Sequence, residues 1–130
     1  MTAEQALLAA IEAEDAAVYA YGVIGAHLDG PAERRARRAL HAHRSLRTQW
    51  QSQATAQVAT PAAYDLPFTI EDATSAKELA VLVERRVSAI SADLAAVSTG
   101  PVREQAVTAA MEAATRSVVW GGEPQSFPHG

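Results

Sequence analysis

The chain of 130 residues contains no cysteine. This absence excludes a disulfide framework, a thiolate zinc site and a cysteine nucleophile. Aromatic residues make up 5% of the chain, and no apolar run approaches the roughly 20 residues that a membrane-spanning helix requires. The start, Met1 to Glu4, has neither a positive leader nor an apolar core. We therefore expect a cytoplasmic protein that has no membrane partner.

Charge of one sign is not in large excess, because the formal net charge is −4. This balance gives no overall attraction for nucleic acid, which we do not expect as a partner. The local exception is the run of Arg34, Arg35, Arg37 and Arg38, at the predicted start of a helix, where positive charge is unfavourable. We interpret the run as a solvated face with contacts to Glu33, and a site for an acidic partner or phosphate is the alternative.

Strong helix formers dominate the chain, and no segment alternates apolar and polar residues as a strand does. The apolar spacing predicts an all-α protein, in one domain over residues 1–130. The predicted helices cover about residues 2–28, 31–54, 72–97 and 101–120, and an irregular tail covers 121–130. Gly30-Pro31 and Gly100-Pro101 separate the helices of each pair, because glycine permits a left-handed exit and proline suits a first helical turn.

The two halves of the chain align with each other without a gap. Gly100-Pro101 then falls on Gly30-Pro31, Glu84 falls on Glu14, and Trp120 falls on Trp50. The two tryptophans are the only ones in the chain. Matches between such rare residues predict an internal repeat, in which one helical hairpin is used twice.

The segment between the second and third helices, over residues 57–71, contains Pro61 and Pro67 and reads as extended. About 15 extended residues reach roughly 50 Å, whereas a helix of about 24 residues is roughly 36 Å long. The segment can therefore cross the whole bundle. Two hairpins joined by one long crossover form a ferritin-like four-helix bundle. A slack loop in a simple up-and-down bundle is the alternative.

Glu14 is the sharpest anomaly, because it lies between Ile11 and Val18 in the apolar seam of the first helix. A buried carboxylate is costly unless it has a partner. Its repeat equivalent, Glu84, lies beside the apolar stripe of the third helix. Two inward carboxylates are half of a di-iron or di-manganese site, whose other half is a Glu-x-x-His motif on each of the remaining helices.

That other half is missing from the sequence. Counting outward from the Gly30-Pro31 turn places residues 45–50 at the height of Glu14, and residues 115–120 are the equivalent stretch of the fourth helix. Neither stretch contains a carboxylate or a histidine. Arg47 and Arg116 instead put positive charge beside the two glutamates, which disfavours hard dications.

We therefore predict a structural network of polar side chains in the core. Glu14 would pair with a basic residue of the second helix, and Glu84 with Arg116 or with arginines of its own helix. The predicted members are Glu14, His43, Arg44, Arg47, Glu84 and Arg116. We expect no catalytic residue, metal or other cofactor. The alternatives are a weak iron or manganese site formed by Glu14, Glu84 and His43, and a small-molecule pocket.

The remaining aromatic and imidazole side chains are interpreted as structural. We expect packing roles for Tyr19, Tyr21, Trp50 and Trp120. His41 and His43 are two residues apart, so they face different sides of one helix and cannot share an ion. His27 lies near a helix end where positive charge is mildly favoured, and His129 lies in the tail.

Four stretches carry a family pattern: Glu14–Val23, Ala42–Arg44, Ala63–Pro67 and Phe127–Pro128. They resemble a bacterial family of ferritin-like proteins known only as a domain of unknown function. The resemblance covers nearly the whole chain and implies a four-helix ferritin-like fold without an established activity. The di-metal motif of ferritins does not carry over onto the second and fourth helices, since only Glu14 and Glu84 match its ligands.

The sequence thus favours a binding or interaction module with a degenerate metal centre and no ferroxidase activity. We expect a homodimer, because alanine-rich helices can approach closely and a bundle of this size tends to leave an apolar face. Two other functions stay open. One is a metal-binding oxidoreductase that uses Glu14, Glu84 and His43, and the other is an acidic-partner or nucleic-acid binder that uses the arginine run.

Overall fold

In a computed structural model, residues 1–125 are described, and they form four helices with no strand among them. This confirms the predicted all-α four-helix bundle. The helices are α1 (Ala3–Ala26), α2 (Gly30–Gln53), α3 (Ala73–Ala96) and α4 (Gly100–Val119). The predicted tail positions Phe127, Pro128 and His129 lie outside the described residues. Within residues 1–125, no helix is both long and apolar enough to cross a bilayer.

The ends of α1 follow from local hydrogen bonds. Thr2 caps its start, since the Thr2 side chain accepts from the Gln5 amide while the Gln5 side chain accepts from the Thr2 amide. α1 ends at Ala26 rather than at the predicted residue 28. The amides of His27 and Leu28 donate to carbonyls three residues back, and this tighter turn ends the α-helical pattern.

The two tight reversals of the chain depend on glycine. Gly30 and Gly100 have φ angles of 55° and 61°, and each is followed by a proline in the first turn of its helix. A side chain at such a φ angle crowds the neighbouring carbonyl, which costs about 1–2 kcal/mol. Glycine therefore stabilises both reversals, and each reversal joins two antiparallel helices.

A pair of glycine-to-alanine substitutions tests this conclusion, because the two changes should have opposite signs. Gly100→Ala should lower the free energy of unfolding by about 1–2 kcal/mol. The control is Gly22→Ala at an exposed position in the C-terminal part of α1, where an added Cβ meets no atom within 4 Å. This change should raise stability by about 0.5–1 kcal/mol. Urea unfolding measures both, and a stabilised Gly100→Ala variant would contradict the strained reversal.

Two apolar clusters at opposite ends of the bundle define its topology. One contains Ile24, Ala36, Ala76 and Trp120, and the other contains residues that include Leu7, Trp50, Leu94 and Ala106. Because the start of α2 and the start of α3 share the first cluster, these helices run in the same direction. Residues 54–72 therefore run along the length of the bundle. We call these residues the crossover.

Contacts between helices are unequal. α1 packs closely on both α2 and α3, and α3 also packs closely on α4. Within the described residues the backbones of α2 and α4 stay farther apart, and Gln53 donates to Gln105 across the gap at 2.9 Å. A groove of about 450 Å³ separates α2 from α4. Between the two end clusters lies a middle layer of small residues, Ala13, Ala17 and Ala113, together with Val87. Small side chains in this layer leave room for polar groups in the core.

Candidate functional site

An imidazole ring lies between two carboxylates at the centre of the bundle. His43 of α2 donates through Nδ1 to Glu14 of α1, and through Nε2 to Oε2 of Glu84 of α3 at 2.9 Å. The exposed fractions of Glu14, His43 and Glu84 are 1%, 0% and 0%. Because water is excluded, the three groups depend on each other for hydrogen bonds and charge compensation.

Glu84 has further partners on α4 and α1. Nε of Arg116 donates to its Oε1 at 3.0 Å, and the hydroxyl of Tyr21 donates to its Oε2. The indole Nε1 of Trp120 in turn donates to the Tyr21 hydroxyl oxygen at 3.0 Å. The Tyr21 ring also stacks on the His43 ring, with centroids 5.5 Å apart. We call Glu14, Tyr21, His43, Glu84, Arg116 and Trp120 the central network.

The central network shifts the protonation of its own members. Burial alone would lower the pKa of His43, but its hydrogen bonds and charge interactions with the two carboxylates outweigh burial and raise that pKa to about 9. His43 is therefore a cation at neutral pH. Burial raises the pKa of Tyr21 well above its usual range, and the charge of Glu84 raises it further, so the hydroxyl keeps its proton.

The two carboxylates respond in opposite directions. Burial would raise the pKa of Glu84, but His43 and Arg116 outweigh it and hold that pKa below its usual range. Burial is the largest influence on Glu14 and raises its pKa, although the hydrogen bond from His43 acts the other way. Glu84 is thus the carboxyl group that stays ionised more readily, while Glu14 is the one that gains a proton more easily.

Helix geometry explains why these residues meet. Glu14 and Tyr21 are seven residues apart on α1, so they lie on one face two turns from each other. The structure corrects the predicted register of α2, because His43, rather than residues 45–50, lies at the height of Glu14. The predicted register was centred on the Gly30-Pro31 turn, whereas the midpoint between Glu14 and His43 in the chain lies before Gly30.

Four of the six predicted residues, Glu14, His43, Glu84 and Arg116, lie together in the central network. Tyr21 and Trp120, for which the sequence predicts packing roles, also belong to the central network. The spacing of seven residues from Glu14 to Tyr21 was the available signal. The other two predicted residues are not part of the central network. Arg44 is exposed, and Arg47 belongs to a separate ion pair.

Arg47 pairs with the buried Asp15 rather than with Glu14. Its Nε donates to Oδ1 of Asp15 at 3.0 Å. A terminal nitrogen of Arg47 also donates to the carbonyl of Val58, and the Thr60 hydroxyl donates to Asp15 at 3.2 Å. This ion pair therefore fixes the start of the crossover against α1 and α2. We call Asp15, Arg47 and Thr60 the crossover clamp.

Removing the arginine of the crossover clamp should have a clear local effect. Arg47→Ala should lower the free energy of unfolding by about 2 kcal/mol, because Asp15 stays buried without its charged partner. Exchange of the Val58 amide, which donates to the Gln51 side chain, should also become faster. Arg44→Ala, one turn earlier on the same helix and exposed, is the matched control and should change stability by less than about 0.5 kcal/mol. Equal effects of the two variants would contradict the clamp.

The geometry of the central network does not fit a di-metal centre. Both ring nitrogens of His43 face carboxylates, and both oxygens of Glu84 are hydrogen-bonded. Arg116 also brings a positive charge to within 3.0 Å of Glu84. Within residues 1–125, no group of three or more histidine, aspartate or glutamate side chains is arranged to hold a metal ion. The three acidic and imidazole groups therefore bind each other instead of converging on a point.

The arginine run meets the central network only through Arg35, among the described residues. Arg34, Arg37 and Arg38 are exposed, and Arg37 pairs with Glu33 on the same helix. Arg35 lies over the Trp120 ring, 5.4 Å from its centroid. The remaining predicted side chains are His41, which is exposed, His27, which is half-buried, Tyr19, which packs on Tyr64, and Trp50, which is buried.

The chain is similar to a protein family and to a solved structure. Residues 6–130 match the family model described as Domain of unknown function (DUF4439). The chain is also similar to the crystal structure of a conserved hypothetical protein from Mycobacterium tuberculosis. The TM-score is 0.83 and the sequence identity is 29%, over 91% of this chain and 94% of the other. No curated protein matches the chain.

Proposed function

Because the chain belongs to the family Domain of unknown function (DUF4439), whose description assigns no activity, we propose a function from the geometry of the site. The protein is a ferritin-like binding or interaction module without ferroxidase activity. An ion-paired network occupies the place of a di-metal centre. The observation that carries this proposal is the position of His43, whose two ring nitrogens bind Glu14 and Glu84.

The ferritin-like assignment is supported by the path of the chain. Two antiparallel helix pairs are joined by the crossover, and the start of α3 lies at the same end of the bundle as the start of α2. The proposed internal repeat is supported by matched positions. Gly30 and Gly100 share a positive φ angle, and Trp50 and Trp120 are both buried.

The absence of ferroxidase activity follows from the charges. A di-metal centre of this class uses four carboxylates and two imidazoles on four helices. Here two carboxylates are compensated by His43 and Arg116. Two dications would have to displace one cation and repel the other, with too few anionic ligands to offset the repulsion. The alternative oxidoreductase would need His43 to leave both carboxylates.

Elemental analysis of the purified full chain, grown with added iron and manganese, tests the proposal. We expect far less than one iron or manganese per chain, and no oxygen uptake when ferrous iron is added. About two metals per chain, or iron-dependent oxygen uptake that Glu14→Gln abolishes, would overturn the proposal. Glu12→Gln, two residues earlier and exposed, is the matched control for nonspecific iron binding.

Two further proposals concern the state of the protein in the cell. A homodimer is supported by apolar residues on the outer face of α4, where Val107, Met111 and Val118 are 42%, 55% and 43% exposed. Light scattering should give twice the monomer mass, and Met111→Ser should shift the mass toward the monomer. A monomer mass at high concentration would refute the dimer.

The proposed cytoplasmic location is tested by cell fractionation.

A further inference from the structure

A cleft of about 740 Å³ lies beneath the crossover, between it, α1 and α3. Its size is within the range of small-molecule sites in proteins, about 300–1,000 Å³. Most of its lining is apolar and comes from the crossover and from α3, and its charged groups are Glu12, Asp65 and Arg86. We call this space the crossover cleft.

The crossover is held at both of its ends. At the start, Arg47 donates to the carbonyl of Val58, and the amide of Val58 donates to the Gln51 side chain at 3.0 Å. Towards its end, Leu66, Phe68 and Ile70 pack on the apolar cluster that contains Ile24. Between these two anchored parts, the crossover contacts α1 through Tyr64, whose ring packs on Tyr19.

Two prolines make the crossover stiff where it borders the cleft. Pro61 and Pro67 both line the cleft, and proline fixes its own φ angle and restricts the residue before it. On the opposite wall, Leu82 of α3 is 44% exposed although it is a large apolar side chain. An apolar wall that the chain's own crossover does not cover provides a binding surface.

The polar groups of the crossover cleft select charge. Glu12 and Asp65 carry two negative charges, against one positive charge on Arg86. The Tyr64 ring also lines the cleft and packs on Tyr19, with centroids 5.8 Å apart. An aromatic face attracts a cation through its quadrupole. The negative net charge of the whole chain acts in the same direction.

We propose that the crossover cleft binds a small molecule with an apolar body and a protonated amine. The apolar body lies against Leu82, Leu66 and the proline rings, and the ammonium group lies near Glu12, Asp65 and the Tyr64 ring. This inference rests on the proposed function, since it names the class of ligand for the binding module. It does not involve the central network, which is buried elsewhere in the bundle.

Three indole probes test the inference on the full chain, because they share a ring and differ in charge. Tryptamine is cationic, tryptophol is neutral and indole-3-acetate is anionic. In an NMR titration at low salt, tryptamine should give saturable shifts at the amides of Tyr64, Leu82 and Val83. It should bind at least about threefold more tightly than tryptophol, and indole-3-acetate should bind most weakly.

Exposed residues of the crossover cleft provide variants that should keep the fold. Glu12→Gln should weaken tryptamine binding about threefold, and Arg86→Gln should strengthen it by a similar factor. Leu82→Ser should weaken all three indoles about fivefold. The controls are Glu112→Gln, which lines the groove between α2 and α4, and Met111→Ser on the outer face of α4. Neither control should change the affinity.

Failure of this inference can be separated from failure of the proposed function. Absence of saturable shifts at the cleft amides, or equal affinity for tryptamine and indole-3-acetate, would overturn the cleft assignment, whatever the metal content. Unchanged affinity in Leu82→Ser would also overturn it. The proposed function fails only if the protein holds metal or consumes oxygen, and amine binding does not affect that result.

Discussion

Replacing His43 with alanine should lower the free energy of unfolding by about 3–5 kcal/mol. The variant leaves Glu14 and Glu84 in a buried site without the cation that lies between them. It also leaves a cavity beneath the Tyr21 ring, which stacks on the imidazole. Chemical denaturation followed by circular dichroism measures the loss.

His41→Ala is the matched control for this variant. His41 lies two residues earlier on the same helix and is exposed, so its loss should change stability by less than about 0.5 kcal/mol. A loss of this same small size in His43→Ala would contradict the proposed role of the imidazole. The comparison also removes any general effect of alanine on helix propensity, since both changes put alanine into α2.

A double variant measures how strongly His43 and Glu14 interact, because its stability can be compared with those of the two single variants. Glu14→Gln combined with His43→Ala removes one of the two carboxylates together with the cation. Because residues in one network interact, the loss in the free energy of unfolding should not be additive. The double variant should lose about 1–3 kcal/mol less than the sum of the two single losses. Strict additivity would show that His43 and Glu14 do not interact in the folded protein.

Stability should fall as the pH rises from about 6.5 to about 9, by on the order of 3 kcal/mol. The pKa of His43 is raised to about 9 in the folded protein, against about 6.5 in an unfolded chain. The stabilisation is fully present below the unfolded pKa and is lost as the pH rises through the folded pKa. The raised pKa of Glu14 has the same sign, because its folded form also favours the proton.

The acid side of the profile has the opposite cause. The pKa of Glu84 is lowered in the fold, so its contribution is present at neutral pH and is lost as the pH falls through that lowered value. Urea unfolding at several pH values measures both sides. His41→Ala should keep the loss between pH 6.5 and 9, while His43→Gln should reduce it. Constant or rising stability of the unmodified chain over this interval would contradict a protonated His43.

The helices and their reversals could be predicted from the sequence because they depend on local chemistry. Gly30-Pro31 and Gly100-Pro101 mark helix starts through backbone preferences that do not depend on the rest of the fold. The polar character of the core was also predictable, since Glu14 stands in an apolar seam. These features need only the period of a helix and the cost of an unpaired charge.

The pairing of the buried charges was harder to predict. Two adjacent helices carry the acidic and basic side chains concerned, which are Glu14 and Asp15 on α1 and His43, Arg44 and Arg47 on α2. Several ion pairings between them would compensate the same charges. A difference of one residue in register, or of about 100° in rotation, decides whether Arg44 or His43 faces inward. The structure places His43 inward and Arg47 on Asp15. Packing between helices, which one sequence does not specify, makes this choice.

Nitrogen-15 NMR of the His43 ring tests most directly whether the bundle centre is a protonated imidazole held by two carboxylates. Both ring nitrogens should carry a proton at pH 7, and the pKa of the ring should be about 9. A ring that is neutral at pH 7, with one nitrogen free to bind an added metal ion, would contradict this prediction.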